Sequence, residues 1–218
     1  MAWHYVTTDA PGWTTPYSLD QTDNASEVWN KLRQAGWTEN ACAGVLGNFQ
    51  HESYINPGQW EIGYNYSMTR GMGLGQWTPA TKVSDFVGST NHDAMANGDA
   101  QMNLLLSTPS QFASNINPDG TNTYYNESGL PYITSMAEYS QSTASVDLLT
   151  KVWCICWERP GAKYYHNSIG ARISDATYWY NVFSGGPVPP GPEPPTPTPD
   201  DEFVVASLFM LDKVRYKR

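Results

Sequence analysis

The chain has 218 residues, 40% of them apolar, which is enough for one buried core. Only 15% are charged and the formal balance is −9, so no surplus of cations exists to neutralise phosphates or an anionic bilayer; a basic-patch nucleic-acid binder and a charge-held membrane protein are excluded. No run approaches the ~20 apolar residues of a membrane-spanning helix, and Met1-Ala2-Trp3-His4-Tyr5 lacks the basic and apolar regions of a secretory leader, so no signal peptide is expected.

Asn24-Ala25-Ser26-Glu27 reads as a capping box opening a first helix through Val28, Leu32 and Ala35, closed by Gly36. Thr38 caps a second helix, with Ala41, Val45, Leu46 and Phe49 on one face, and Asn56-Pro57-Gly58 stops it near Glu52-Ser53. Trp60 to Trp77 has no helical period and reads as turns with short β-strands. Thr78-Pro79 restarts a helix as N-cap and first residue. Ala100–Leu106, Pro131–Tyr139 and Ala144–Glu158 read as helices, Pro109–Gly129 as a polar loop, and a last helix runs from about Ser168 to Phe183. The expected class is α+β, mostly α, with a small β or irregular insert after the second helix.

Composition divides the chain into a folded domain at 1–184, a linker at 185–201 and a short tail at 202–218. The linker holds eight of the sixteen prolines, which favour extended polyproline II and a semi-rigid spacer. Cys42, Cys154 and Cys156 are too few for a disulfide framework; buried thiols are expected, with a bridge to Cys42 left open. The four histidines are scattered, so neither a metal nor a cofactor is expected.

Glu52 falls where the second helix ends. A carboxylate there faces the negative end of the helix dipole, and burial among aromatics adds a desolvation cost; both favour the protonated form that a general acid needs. Glu61 stands nine positions later and Ser67 six after that, so a second carboxyl is near enough in sequence to serve as base or nucleophile in glycoside hydrolysis. Gly71-Met72-Gly73-Leu74-Gly75-Gln76-Trp77 reads as a wall beside that site. Its glycines, Gly73 among them, let backbone approach a flat ligand; Gln76 can bond hydroxyls and acetamides, and Trp77 can stack on a pyranose. Tyr64, Tyr66 and Trp60 are further candidates for sugar subsites, His51 reads as structural, and Glu158-Arg159 as a local ion pair between the last helices.

Residues from about Asp23 to Ser184 resemble the phage tail-tip lysozyme family of phages infecting Gram-positive hosts. The stretches that carry the resemblance are Ala35–Ala41 leading into Gly44-Val45-Leu46-Gly47-Asn48, then Glu52–Gly58, Gly73–Thr81 and Trp157-Glu158-Arg159-Pro160. The resemblance implies a lysozyme-like fold, cleavage of the β-1,4 bond between N-acetylmuramic acid and N-acetylglucosamine, and Glu52 as catalytic acid. The spacing from Glu52 to Glu61 and Ser67 also resembles the Glu, Asp or Cys, Thr series of other phage lysozymes, which implies a base role for Glu61 and a water-positioning role for Ser67. The expected partners are peptidoglycan glycan strands and, through the tail at 202–218, other phage tail proteins. The protein is then made in the host cytoplasm and carried on the virion tail to the outer cell wall. A lytic transglycosylase of the same substrate and a non-catalytic tail-tip or wall-binding module are the alternatives. A free endolysin fits less well, because the tail is too short for a folded wall-binding module.

Overall fold

The computed structural model describes residues 3–5, 21–61 and 63–186. Apart from Gly185 and Gly186, the proline-rich stretch and the tail expected to contact other tail proteins lie outside the described residues. Those residues form a mostly helical domain, as expected. Helices α1 (Gln21–Gln34), α2 (Glu39–Ser53), α7 (Val146–Trp153) and α8 (Ala162–Ser184) make the body; α3 (Thr81–Val87), α4 (His92–Met95), α5 (Gly98–Ser107) and α6 (Met136–Gln141) surround it. No described helix is long and apolar enough to cross a membrane.

Helix α2 is the centre of the packing, with α8, α7, α1 and α6 against it. It is buried almost all round, from Ala41 to Gln50, which suits a helix of small and apolar residues. Two glycines allow this. A Cβ at Gly47 would collide with the Arg172 carbonyl of α8, and one at Gly44 would collide with the Tyr139 hydroxyl. The Thr38 side chain accepts the Ala41 N–H at the start of α2, a contact worth about 1 kcal/mol. At the other end, Tyr54 and Ile55 both take left-handed conformations, with φ of 56° and 55°, each costing about 1–2 kcal/mol outside glycine. Asn24 supports that reversal by donating to the Ile55 carbonyl at 2.8 Å.

The insert after α2 is made of turns tied by antiparallel bridges, Trp60 to Met72 and Met72 to Trp77. Several boundaries differ from the sequence expectation. Helix α1 begins at Gln21, so Asn24 is a buried residue within it rather than a cap. Thr78 is not a cap either: its hydroxyl donates to the Gln76 carbonyl at 3.0 Å, and α3 starts at Thr81. Residues 131–135 are not helical; α6 starts behind Ser135, whose hydroxyl accepts the Glu138 N–H. The helix expected through Glu158 changes period at Cys154 into a π-helical turn, Cys154–Glu158, and α8 begins six residues earlier than expected, at Ala162. All three cysteines are free and buried; burial pushes the Cys42 and Cys154 thiols up to about 12 and Cys156 to about 11, which leaves them protonated and inert.

Candidate active site

The last turn of α2 presents Glu52 towards α8. Its Oε1 accepts from Arg172 Nη2 at 2.5 Å; the Arg172 side chain is fully buried and that of Glu52 is 8% exposed. A buried guanidinium is tolerable only when its donors are used. Arg172 also donates through Nη1 to Asn48 Oδ1 at 2.8 Å and through Nε to Ser168 Oγ at 3.2 Å. Asn48 is in turn fixed by donating to the carbonyls of Gly44 and Thr150. Glu52 is therefore held by a chain of hydrogen bonds reaching α2, α7 and α8, those of Arg172 being charge-assisted.

A second carboxyl reaches the same place from the π-helical turn. Glu158 accepts from Trp153 Nε1 at 3.2 Å. Burial pushes its carboxyl well above the ordinary range, the charge of Glu52 pushes it further, and Arg172 opposes both. The expected ion pair with Arg159 gives way to the indole bond; Arg159, with φ 53° at the end of the π-turn, is exposed. A π-turn inside a helix is a common feature of functional sites, since the extra residue rotates the side chains beyond it to a new face; here it brings Trp157 and Glu158 to the cleft. Tyr164 completes the group: its hydroxyl lies 3.1 Å from His51 Nε2. Burial, then Arg172, holds His51 well below its usual value, so the imidazole is neutral. Burial, then Glu52, pushes the Tyr164 phenol up, so it stays protonated.

Glu52 and Glu158 line one cleft of about 490 Å³. One wall is Gly75 to Thr78; the other is the loop carrying Asn115, Asn117, Asn122 and Tyr124; Trp157 and Tyr164 lie between. Amides, hydroxyls and aromatic rings around two carboxyls are the surfaces that recognise sugar hydroxyls and pyranose faces.

The residues proposed from sequence divide into two groups. Glu52, Gln76 and Trp77 line the cleft. Gln76 has its amide nitrogen turned inward, to the carbonyls of Gln59 and Gly73, and Trp77 is buried against Phe49, with ring centroids 6.3 Å apart. Glu61, Tyr64, Ser67 and Gly73 do not line it. Glu61 accepts the Gly71 N–H at 2.8 Å and sits 3.6 Å from Arg70, and Arg70 in turn lies over the Tyr64 ring. The Ser67 hydroxyl is 3.2 Å from that of Thr69 on an exposed turn. The glycines expected to admit a ligand mostly admit protein: a Cβ at Gly73 would meet the Gln101 amide at 2.5 Å, and one at Gly75, the one that does line the cleft, would meet the Phe49 ring at 3.0 Å. Trp60 is buried, and Tyr66 packs beside it, exposed, outside the cleft.

Arg172, Tyr164 and Asn48 were not singled out from sequence. A signal for Arg172 exists: on α8 the buried positions Tyr165, Ser168, Arg172, Ala176 and Trp179 form one helical stripe, and a lone arginine on such a stripe demands a buried anion.

Comparison with known proteins bears on the same region. The model of the family described as phage tail lysozyme matches residues 23–183. Morphogenesis protein 1 of Bacillus phage B103 is 31% identical over 168 residues, covering 76% of this chain and 40% of that protein. The chain thus spans about two fifths of the length of the curated relative it matches.

Proposed function

The chain belongs to the phage tail lysozyme family, and from that premise we propose that it hydrolyses the β-1,4 bond between N-acetylmuramic acid and N-acetylglucosamine in peptidoglycan. It would work from the tip of a phage tail to open the host wall locally. The observation that carries this reading is the pairing of Glu52 with Glu158 in one polar, aromatic-walled cleft, with Glu52 anchored on a buried arginine. The Arg172 guanidinium donates to the Glu52 carboxyl, and burial keeps the proton on Glu158 in the resting site. On substrate binding the Glu158 proton passes by way of Glu52, the group at the scissile bond, to the bridging oxygen. The bond from the anomeric carbon to that oxygen breaks, and the leaving sugar departs as an alcohol. The cationic sugar is stabilised by the carboxylate charge, and water adds to the anomeric carbon and returns a proton to the pair.

One observation favours a second reading. Glu61 is engaged by Arg70 and the Gly71 N–H outside the cleft lining, which removes the partner expected from sequence and leaves room for a lytic transglycosylase, in which the 6-hydroxyl of the sugar attacks instead of water. The position of Glu158 restores a second carboxyl and supports hydrolysis. Digestion of Gram-positive peptidoglycan and mass analysis of the fragments test both: reducing muramic ends support hydrolysis, ends lighter by one water support transglycosylation, and equal digestion by Glu52→Gln overturns the assignment of the site.

A further inference from the structure

We infer that Lys82 and Arg159 form a subsite for an anionic substituent carried on the glycan strand, either a carboxylate of the stem peptide or a phosphate of an attached wall polymer. The inference rests on the proposed glycan cleft and adds what the strand must carry. Both side chains are exposed and both line the cleft. They come from separate elements, Lys82 from the first turn of α3 and Arg159 from the end of the π-helical turn. They are close enough that burial first and the Arg159 charge second pull the Lys82 ammonium below its ordinary value.

Two cations lining one cleft repel, and the repulsion is normally relieved by a carboxylate between them. Among the described residues, no carboxylate lies within salt-bridge reach of either one. The neighbouring amides do not offer the same service. Asn115 donates to the Ile155 carbonyl, Asn117 to the Thr121 hydroxyl and Asn122 to the Asn115 carbonyl. Lys82 and Arg159 are therefore the lining donors with charge still to offer. The charge pattern of the whole molecule sharpens the point. A chain of net charge −9 repels an anionic polymer as a whole. A local cationic pair offsets that repulsion where the charged branch of the strand docks.

The test uses the full chain and three forms of soluble glycan fragment: peptide-bearing and free of wall phosphate; the same with its carboxyls converted to amides; and the amidated form still bearing phosphate polymer. The Lys82→Gln/Arg159→Gln double variant is expected to lose about tenfold in kcat/KM, mainly through KM, on a form that carries the recognised anion. It should lose no more than about twofold on the amidated, phosphate-free form, and Lys82→Arg should restore most of the loss. A loss on the first form alone identifies the carboxylate, and a loss on the third alone identifies phosphate. Equal loss on all three, or no loss on any, overturns the inference. Binding of the same fragments to a Glu52→Gln chain, with and without the double variant, is read in parallel. A wild type that binds yet cleaves nothing would sink the hydrolase reading while leaving the anion subsite intact.

Discussion

Glu52 and Glu61 each face an arginine, and the two pairs lie in very different regions. In the helical body, Glu52 meets Arg172 at 2.5 Å, and the arginine is fully buried. In the turn-rich insert, Glu61 stands 3.6 Å from Arg70, with side chains 12% and 18% exposed. The first pair joins three helices and opens on a cleft; the second closes a turn through the Gly71 N–H. Residue type and pairing alone do not decide which carboxyl is placed to act on a substrate. What separates the two is the cleft, and a second carboxyl within electrostatic reach.

The largest difference expected between the regions is in rate. Glu52→Gln should lower turnover on peptidoglycan by about 10²–10⁴-fold, the usual worth of a general acid, with the helical circular dichroism retained and some stability lost because the buried Arg172 keeps only a neutral partner. A variant that keeps wild-type turnover would break the comparison. Arg172→Ala should come next. It leaves Glu52 buried without its counter-charge and should cost about 3–5 kcal/mol in chemical denaturation. A loss below about 1 kcal/mol would mean that the pair is no more structural than one on the surface.

A pH effect of intermediate size sits behind the same floor. Burial pushes Asp175, three residues beyond Arg172 on α8, up to about 7, with Arg172 opposing, and the Tyr54 phenol faces it. The unfolded value is about 4, so the folded state holds this proton more tightly. The stability it contributes is complete below about pH 4 and is lost as pH rises towards about 7. Glu158 acts in the same direction. Asp175→Asn should flatten that decline, measured as ΔG of unfolding at several pH values; an unchanged slope would remove Asp175 as its source. The smallest effect belongs to the insert. Glu61→Gln should keep activity within about twofold and cost about 1 kcal/mol, since an amide oxygen can still accept the Gly71 N–H; a rate loss comparable with that of Glu52→Gln would return Glu61 to the chemistry.

Helix α2 is the element that local signals specify most fully. Thr38 caps it as expected, and the Asn56 side chain accepts the Gly58 N–H in the turn beyond its end, so the position of Glu52 at a helix end is readable from sequence. The turn-rich insert and the glycine stop after α8 are readable for the same reason. Features set by tertiary contact are not. Asn24 has the pattern of a cap, asparagine with glutamate three residues on, yet its amide is used by the Ile55 carbonyl across the fold. Gly73 and Gly75 suggest room for a ligand but give room to Gln101 and Phe49. Glu158 suggests a partner for the arginine beside it; the π-turn, which no propensity signals, sends it to the indole of Trp153 and into the cleft instead. Spacing from Glu52 points to Glu61 as the second carboxyl, whereas the one that shares its cleft lies more than a hundred residues away in sequence.

The claim that the proton held on Glu158 serves the site at Glu52 is tested most directly by the pH–rate profile of Glu158→Gln beside that of the wild type. With Glu158 as the source of the proton, the wild type loses kcat on an alkaline limb as that proton leaves, and the variant is slowed by at least about 100-fold and no longer shows that limb. A variant whose profile overlies the wild type in both height and shape would contradict it.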